Sequence, residues 1–213
     1  LSNLRRAPRQ TARTGHHPTA GWAPLSALVI LLHPVFDQLA MTIDLTEHTL
    51  ESTTVYQGRL LYAKLDRIRL PNGKESPREY LIHPGAAVIL PIFDNGDILL
   101  ERQYRYPLRR DFLELPAGKF DPDETEIACA QRELQEETGY VAEQWRYLNT
   151  QYPCIGYSNE RLVYFLARSL THEGDNLDHD ELLEILRMPF GTALNMVKDG
   201  RIDEAKTAMG LLW

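Results

Sequence analysis

The sequence predicts an α+β fold, in which short strands form a sheet and a few helices pack on it. Runs rich in β-branched and apolar residues fill much of the chain after residue 40, and turn signals separate them. The apolar period changes to that of a helix over residues 124–138, and two further helical stretches close the chain. Strands and helices joined by short turns are typical of α+β proteins.

Composition narrows the class of protein further. The chain has 213 residues, 43% of them apolar, two cysteines and a formal net charge of −7. Two cysteines cannot staple a small secreted scaffold, and an acidic chain lacks the basic face that nucleic-acid binding needs. No apolar run approaches the roughly 20 residues of a membrane-spanning helix. We therefore expect a cytoplasmic protein without nucleic-acid or membrane partners.

A shift in charge marks a boundary near residue 40. Residues 1–40 contain four arginines and one aspartate, a net charge of +3, whereas the remainder is strongly acidic. The first segment has no strand or helix period, and its apolar stretch, residues 25–32, is followed by no convincing cleavage site. We interpret residues 1–40 as a disordered leader or a mis-set translation start. The functional domain is then 41–213, with N-terminal strands at about 50–83 and a core at about 84–213.

The strands are predicted from β-rich runs between turn signals. A turn at residues 94–96, Asp-Asn-Gly, predicts a hairpin between the strands on either side of it. The predicted strands are residues 53–70, 79–82, 86–93, 97–104, 112–115, 145–148, 161–166 and 182–186.

The longest predicted helix covers residues 124–138. Asp121 or Asp123 can cap its start, and Gly139 is suited to the left-handed conformation that ends many helices. Its apolar positions fall three to four residues apart, which places them on one face. Those positions are Ile127, Ala130, Leu134 and Thr138. The two later helices are predicted at 192–198 and 203–212.

Three carboxylates share one ridge of the long helix. Glu133, Glu136 and Glu137 are three to four residues apart or adjacent, so they repel one another unless a cation neutralises them. Clusters of carboxylate oxygens favour hard divalent ions such as Mg²⁺, with Mn²⁺ as an alternative. Arg132 can pair with one glutamate, for example Glu124. The simpler interpretation is an acidic helix face in solvent.

The spacing of the whole segment favours the metal site. Residues 118–140 fit the pattern Gly-x5-Glu-x7-Arg-Glu-U-x-Glu-Glu-x-Gly-U at every fixed position, where U is aliphatic or aromatic. Tyr140 fills the last position, which an aliphatic residue usually occupies. This segment resembles the Nudix box, and the chain resembles a Nudix hydrolase.

The resemblance implies a fold, a chemistry and a site. It implies an α/β/α sandwich around a mixed β-sheet, and hydrolysis of a nucleoside diphosphate linked to another group. Glu133 and Glu137 correspond to the main metal ligands, Glu136 to a further ligand or catalytic support, and the carbonyl of Ala117 to a backbone ligand. The partners it implies are a small-molecule nucleotide and a second copy of the chain, whose N-terminal strands help to build the site.

Segments outside the box resemble the ADP-ribose pyrophosphatase branch of the family. These segments are residues 100–107, 112–118, 152–160 and 200–213. The resemblance implies Mg²⁺-dependent hydrolysis of ADP-ribose to AMP and ribose 5-phosphate. GDP-mannose or another sugar nucleotide is an alternative substrate, and a non-catalytic, nucleotide-sensing domain is an alternative of a different class.

The same branch implies three substrate-binding residues. Arg105 would bind the diphosphate, because a guanidinium matches two phosphate oxygens at once. Glu114 and Glu160 occupy positions of substrate- or metal-contacting acids. The alternative for each is an ordinary surface residue.

The resemblance to this branch also implies a general base in the acidic run 175–184. Glu181 is our candidate, and His179, Asp178 and Asp180 lie close enough in the sequence to take its place. Neither cysteine has an evident base partner, so we assign no nucleophilic role to Cys129 or Cys154.

Overall fold

A computed structural model describes residues 43–174 and 182–213. Over these residues the chain forms ten strands and three helices. The strands are β1 (His48–Gln57), β2 (Tyr62–Arg69), β3 (Glu75–Ile82), β4 (Ala86–Pro91), β5 (Asp97–Arg105), β6 (Arg110–Glu114), β7 (Ala117–Lys119), β8 (Tyr140–Gln151), β9 (Leu162–His172) and β10 (Leu183–Pro189). The helices are α1 (Glu126–Thr138), α2 (Phe190–Lys198) and α3 (Ala205–Leu212).

The strands form three sheets. The first is antiparallel, with the order β1-β2-β3, and the second is antiparallel, with the order β10-β5-β6. The third has the order β7-β4-β9-β8 and is mixed, because β4 and β9 are parallel while the outer strands run antiparallel to them. The predicted α+β class with a mixed sheet is confirmed.

Strand β4 separates two apolar cores. Because side chains alternate along a strand, neighbouring residues of β4 face opposite sides of the sheet. Ala87 and Ile89 pack with the buried face of α1, whereas Val88 and Leu90 pack with residues of α2 and α3. One helix therefore covers one face, and two helices together with Ile98 and Leu100 of β5 cover the other, as in the predicted α/β/α sandwich.

The ends of α1 follow from its flanking residues. Gly139 ends the helix at φ 72°, as predicted, and its N–H donates to the carbonyl of Gln135. The predicted N-caps were wrong, because Thr125 caps the helix and its hydroxyl accepts from the N–H of Ala128 at 3.3 Å. The carbonyl of Asp121 instead accepts from the N–H of Glu124, in a turn that precedes the helix.

The predicted hairpin between β4 and β5 was wrong. The turn itself forms, with the N–H of Gly96 donating to the carbonyl of Phe93 at 2.9 Å. Beyond the single bridge between Ile92 and Ile98, however, the two strands enter different sheets. The reason is that β7 and β9 occupy both edges of β4, which leaves no edge for β5.

The predicted strand 53–70 is two strands. The N–H of Gly58 donates to the carbonyl of Leu61 at 2.8 Å and turns the chain between β1 and β2. The resulting three-stranded sheet is tied to the loop after β8, because Leu81 exchanges backbone hydrogen bonds with Tyr157 and Asn159. Strand β7, which the sequence analysis missed, has only three residues.

The elements described above belong to one compact unit, Thr46–Trp213. The predicted leader, residues 1–40, lies outside the described residues, and so does most of the acidic run expected to carry the general base. None of the helices in the described part of the chain has the length and apolar character needed to cross a membrane.

Candidate active site

The loop 115–117 and strand β7 lie against the acidic ridge of α1. The contact is close at Gly118, since a Cβ atom built on it would lie 1.7 Å from the carboxyl carbon of Glu133. Only glycine leaves room for that carboxylate. On the other side of the loop, the N–H of Ala117 donates to Oε2 of Glu137 at 3.0 Å. The backbone of the loop and two predicted metal ligands are therefore brought together.

Arg132 lies at the centre of the acidic residues. Its Nε and Nη2 donate to the two carboxylate oxygens of Glu124 at 2.9 and 3.0 Å, which confirms the predicted pairing. Its Nη1 donates to Glu133 at 2.7 Å and to Glu136 at 2.9 Å. The hydrogen bond from Arg132 lowers the pKa of Glu124 to about 2. Arg132 thus neutralises much of the repulsion within the ridge.

The carboxylates are close to one another but are not arranged as a closed metal cage. Across residues 43–174 and 182–213, no group of three His, Cys, Asp or Glu side chains is placed to hold a metal ion. The geometry gives the reason, because Glu133 and Glu136 turn toward Arg132 while Glu137 turns toward the loop. The donor set of carboxylates beside a backbone carbonyl nevertheless suits a hard divalent ion.

A second charged group lies at the ends of β5 and β6. Arg105 donates from Nε and Nη2 to the two oxygens of Glu114, at 2.6 and 2.7 Å. Glu114 is 2% exposed, so the simpler interpretation of an exposed strand residue was wrong. Hydrogen bonds to Glu114 are the main cause that raises the pKa of Arg105, and the charge of Glu137 contributes. Arg105 therefore lies within electrostatic reach of a predicted metal ligand.

Glu160 lies at the end of the loop that follows β8. One of its carboxylate oxygens is 3.7 Å from Nδ1 of His83, and both side chains are largely buried. The side chain of Asn159 accepts from the N–H of His83 at 2.7 Å, which fixes the loop to the end of β3. Whether Glu160 contacts substrate stays a prediction. Glu181, His179, Asp178 and Asp180 lie outside the described residues.

Sequence reasoning missed Lys206 and Thr207, which connect α3 to this site. Nζ of Lys206 donates to Oε2 of Glu114 at 3.0 Å, and Oγ1 of Thr207 accepts from the N–H of Leu115 at 2.8 Å. Residues 200–213 were singled out in the sequence only because they resemble the terminal helix of the ADP-ribose pyrophosphatase branch. No local pattern indicated that a lysine there would meet a buried glutamate 92 residues earlier.

The buried position of Cys129 determines the pKa of its thiol. It is fully buried on the packed face of α1, and burial raises the pKa of its thiol to about 12. Since the thiolate is the nucleophile, such a thiol is inert at neutral pH. This environment is consistent with the assignment of no nucleophilic role to Cys129.

Comparison with known proteins agrees with the geometry. Residues 82–208 match the NUDIX domain, which includes the loop, α1 and the start of α3. The chain belongs to the Nudix family. Residues 47–81, which contain β1–β3, match the nucleoside diphosphate sugar hydrolase N-terminal domain. The protein is therefore a Nudix hydrolase with the N-terminal module of the sugar-nucleotide hydrolases, and Nudix hydrolases generally use a divalent metal.

Relatives of this Nudix hydrolase share most of its length. The ADP-ribose pyrophosphatase of Bacillus subtilis (strain 168) is 36% identical over 79% of this chain and 92% of its own. The GDP-mannose pyrophosphatase of Yersinia pestis (strain Pestoides F) is 37% identical over 59% of this chain and 67% of its own. A crystal structure of an ADP compounds hydrolase matches with a TM-score of 0.72 and 25% identity, over 80% of this chain and 92% of that one.

Proposed function

We propose that this Nudix hydrolase cleaves the diphosphate of nucleoside diphosphate sugars, and that it hydrolyses ADP-ribose to AMP and ribose 5-phosphate. The observation that carries the proposal is the contact of the proposed ligands Glu133 and Glu137 of α1 with the backbone at Ala117 and Gly118. The similarity to an ADP-ribose pyrophosphatase over nearly its full length supports the choice of substrate.

The metal in this proposal is Mg²⁺, with Mn²⁺ as a substitute. Glu133, Glu136, Glu137 and the carbonyl of Ala117 would hold it, and their all-oxygen chemistry fits either ion. Bound divalent metal would offset the charge of the diphosphate and lower the pKa of an attacking water. The role of the protein is to keep these four groups on a rigid helix and a rigid loop. Gly118 allows that approach, as its contact with Glu133 indicates.

Four further residues have roles in the proposed site. Arg105 binds the diphosphate with the edge of its guanidinium that does not face Glu114. Glu114 orients Arg105 from a buried position, and Glu160 contributes an acid from the loop after β8. Glu181 is proposed as the general base, with His179, Asp178 and Asp180 as its alternatives.

The test is a substrate panel with product identification. Purified protein with Mg²⁺ is expected to release AMP from ADP-ribose much faster than it attacks GDP-mannose, NADH or diadenosine polyphosphates. Faster turnover of GDP-mannose would contradict the assignment of ADP-ribose as substrate. The proposal of metal-dependent diphosphate hydrolysis would still hold. Binding of these nucleotides in Mg²⁺ without turnover would favour the non-catalytic, nucleotide-sensing alternative.

We also propose that the enzyme works in the cytoplasm as a homodimer, with residues 41–213 as its functional domain. Strand β1 is exposed along most of its length and forms one open edge of its sheet. The apolar side chains exposed on this module are Val55, Tyr56, Leu60, Leu61 and Leu65. Exposed apolar surface beside an open edge is suited to pairing with a second copy.

A further inference from the structure

Lys206 is directed into the fold rather than toward solvent. Its Nζ donates to Oε2 of Glu114 and to the carbonyl of Leu115, both at 3.0 Å. Only 14% of the lysine side chain is exposed. Glu204 lies nearby, with one carboxylate oxygen 3.7 Å from the ammonium. Lysine is seldom buried unless it is paired, so its place here needs a structural reason.

The backbone around Lys206 is fixed from several sides. The carboxylate of Glu204 accepts from the N–H groups of Lys206 and Thr207, each at 2.8 Å, and caps α3. The hydroxyl of Tyr164 donates to the carbonyl of Lys206 at 3.0 Å. Both polar backbone groups of Leu115 are bound by this first turn, one by Lys206 and the other by Thr207. The start of α3 is therefore a rigid support for the strand end that leads to Ala117.

Glu114 holds Arg105 by one edge only. The Nε and Nη2 atoms of Arg105 face the glutamate, whereas Nη1 donates to no residue in the described part of the chain. The arginine side chain is 46% exposed, so its free edge is open to a ligand. That edge carries the donors that match a phosphate.

A buried carboxylate that depended on Arg105 alone would oppose binding of a phosphate. Any movement of the arginine toward the phosphate would weaken the hydrogen bonds of a nearly buried charge, which is costly. Lys206 removes that conflict, because it donates to Glu114 independently of Arg105 and leaves the carboxylate paired when the arginine moves. Glu114 then stays in one position and orients the guanidinium of Arg105 through its two hydrogen bonds.

We propose that Lys206 is a positioning residue, which fixes Glu114 and through it orients the free edge of Arg105 toward the substrate diphosphate. This inference rests on the proposed function and adds a residue to it. Lys206 touches neither substrate nor metal in this scheme. Its effect is on affinity, because Arg105 binds the diphosphate in the ground state and in the transition state alike.

The first test is steady-state kinetics of Lys206→Met with ADP-ribose and Mg²⁺. KM is expected to rise about tenfold while kcat changes about twofold or less. This is the result expected when an interaction that is equally strong in the ground state and the transition state is lost. Lys206→Arg keeps the charge and is expected to restore most of the affinity. Lys198→Met, an exposed lysine in the last turn of α2, controls for loss of one positive charge. An unchanged KM in Lys206→Met would overturn the proposal.

A double-mutant cycle separates positioning from folding. In an Arg105→Gln background, Lys206→Met is expected to change KM about twofold or less, because the residue through which it acts is absent. Equal effects in both backgrounds, accompanied by a matching loss of thermal stability, would mean that Lys206 only stabilises the fold. If Lys206→Met does not fold, Lys206→Gln retains a donor without the charge, and the same comparisons apply to it.

Calorimetry with inorganic pyrophosphate distinguishes failure of this inference from failure of the proposed function. If the wild type hydrolyses no nucleoside diphosphate sugar, the proposed function has failed. Pyrophosphate in Mg²⁺ is nevertheless expected to bind Lys206→Met about tenfold more weakly than Lys198→Met. Equal binding to the two variants, or no binding even to the wild type, would overturn the role of Lys206.

Discussion

Arg132 shows how a single side chain can make an acidic helix face possible. Its guanidinium donates to Glu124, Glu133 and Glu136 and also to the carbonyl of Lys119. Like charges at this spacing destabilise a helix, and a shared cation reverses the sign of the interaction. The fold is therefore able to present these carboxylates without depending on a bound ion.

The pairing of Glu124 with Arg132 predicts a stability that depends on pH. The pKa of Glu124 is lowered from 4.5 to about 2, so its charge stabilises the fold above about pH 4.5 and loses that effect as the pH falls toward 2. Glu124→Gln is expected to lower the free energy of unfolding by about 1.5–3 kcal/mol at pH 7. The measurement is urea denaturation at pH 7, 4 and 3.

The difference between wild type and Glu124→Gln should shrink as the pH falls across this window. Glu143→Gln, at an exposed position of β8, serves as the control for removing one carboxylate. A difference between wild type and Glu124→Gln that stays constant from pH 7 to 3 would contradict the assignment.

Glu137 provides the test of the metal site. Glu137→Gln is expected to lower kcat about 100-fold or more, since an amide is a poor ligand for Mg²⁺. The fold should be retained, because the amide oxygen can still accept from the N–H of Ala117. Activity is measured with ADP-ribose, and the melting temperature is measured alongside it. Near-normal turnover, with Glu143→Gln as the matched control, would refute the site.

Among the elements, the end of α1 was predicted from local sequence, whereas its N-cap and the path of the chain after β4 were not. Gly139 ends α1 where expected, because its left-handed conformation is a local property. The path of the chain after the turn at Gly96 depends on which edges of β4 are occupied, and no local pattern records that. Likewise, the spacing of the sequence motif was enough to predict Glu133, Glu136 and Glu137 as site residues. The contact between Lys206 and Glu114 could not be predicted in this way, because the fold brings together residues that are 92 positions apart.

The close packing of α3 makes a prediction about two helical glycines. A Cβ atom on Gly210 would lie 2.6 Å from Cδ1 of Leu115, so Gly210→Ala is expected to cost about 1–3 kcal/mol of folding free energy. A Cβ atom on Gly191 in α2 would meet nothing within 4 Å, so Gly191→Ala should be neutral or stabilising. The stabilities of Gly210→Ala and Gly191→Ala are measured by thermal and urea denaturation. Equal stability of the two variants would contradict the close packing at Gly210.

Taken as a whole, the molecule combines a well-covered sandwich with an exposed N-terminal sheet. The mixed sheet is covered by helices on both faces, whereas β1–β3 keeps exposed apolar side chains and an open edge. A small sheet of three strands gains stability when something covers it. The proposed homodimer would provide that cover.

Light scattering after size-exclusion chromatography tests the homodimer. The expected mass is about twice the 24.5 kDa of one chain. Val55→Asp is expected to shift the protein toward monomer, because it places a charge on the exposed apolar surface of β1. Leu182→Asp, an equally simple change at an exposed leucine outside that sheet, should leave the mass unchanged. A monomeric wild type would contradict the proposal.

The buried position of β4 also limits how often the backbone next to the proposed site opens. Backbone amides in the most buried strands exchange with solvent only when the whole molecule opens. Ile89 is one of these residues, and its N–H donates to the carbonyl of Pro116, immediately before Ala117. The loop that carries the proposed backbone ligand is therefore hydrogen-bonded to a strand that we expect to open last. Deuterium should enter at Ile89 among the slowest positions, and more slowly than at the amides of the exposed strand β1.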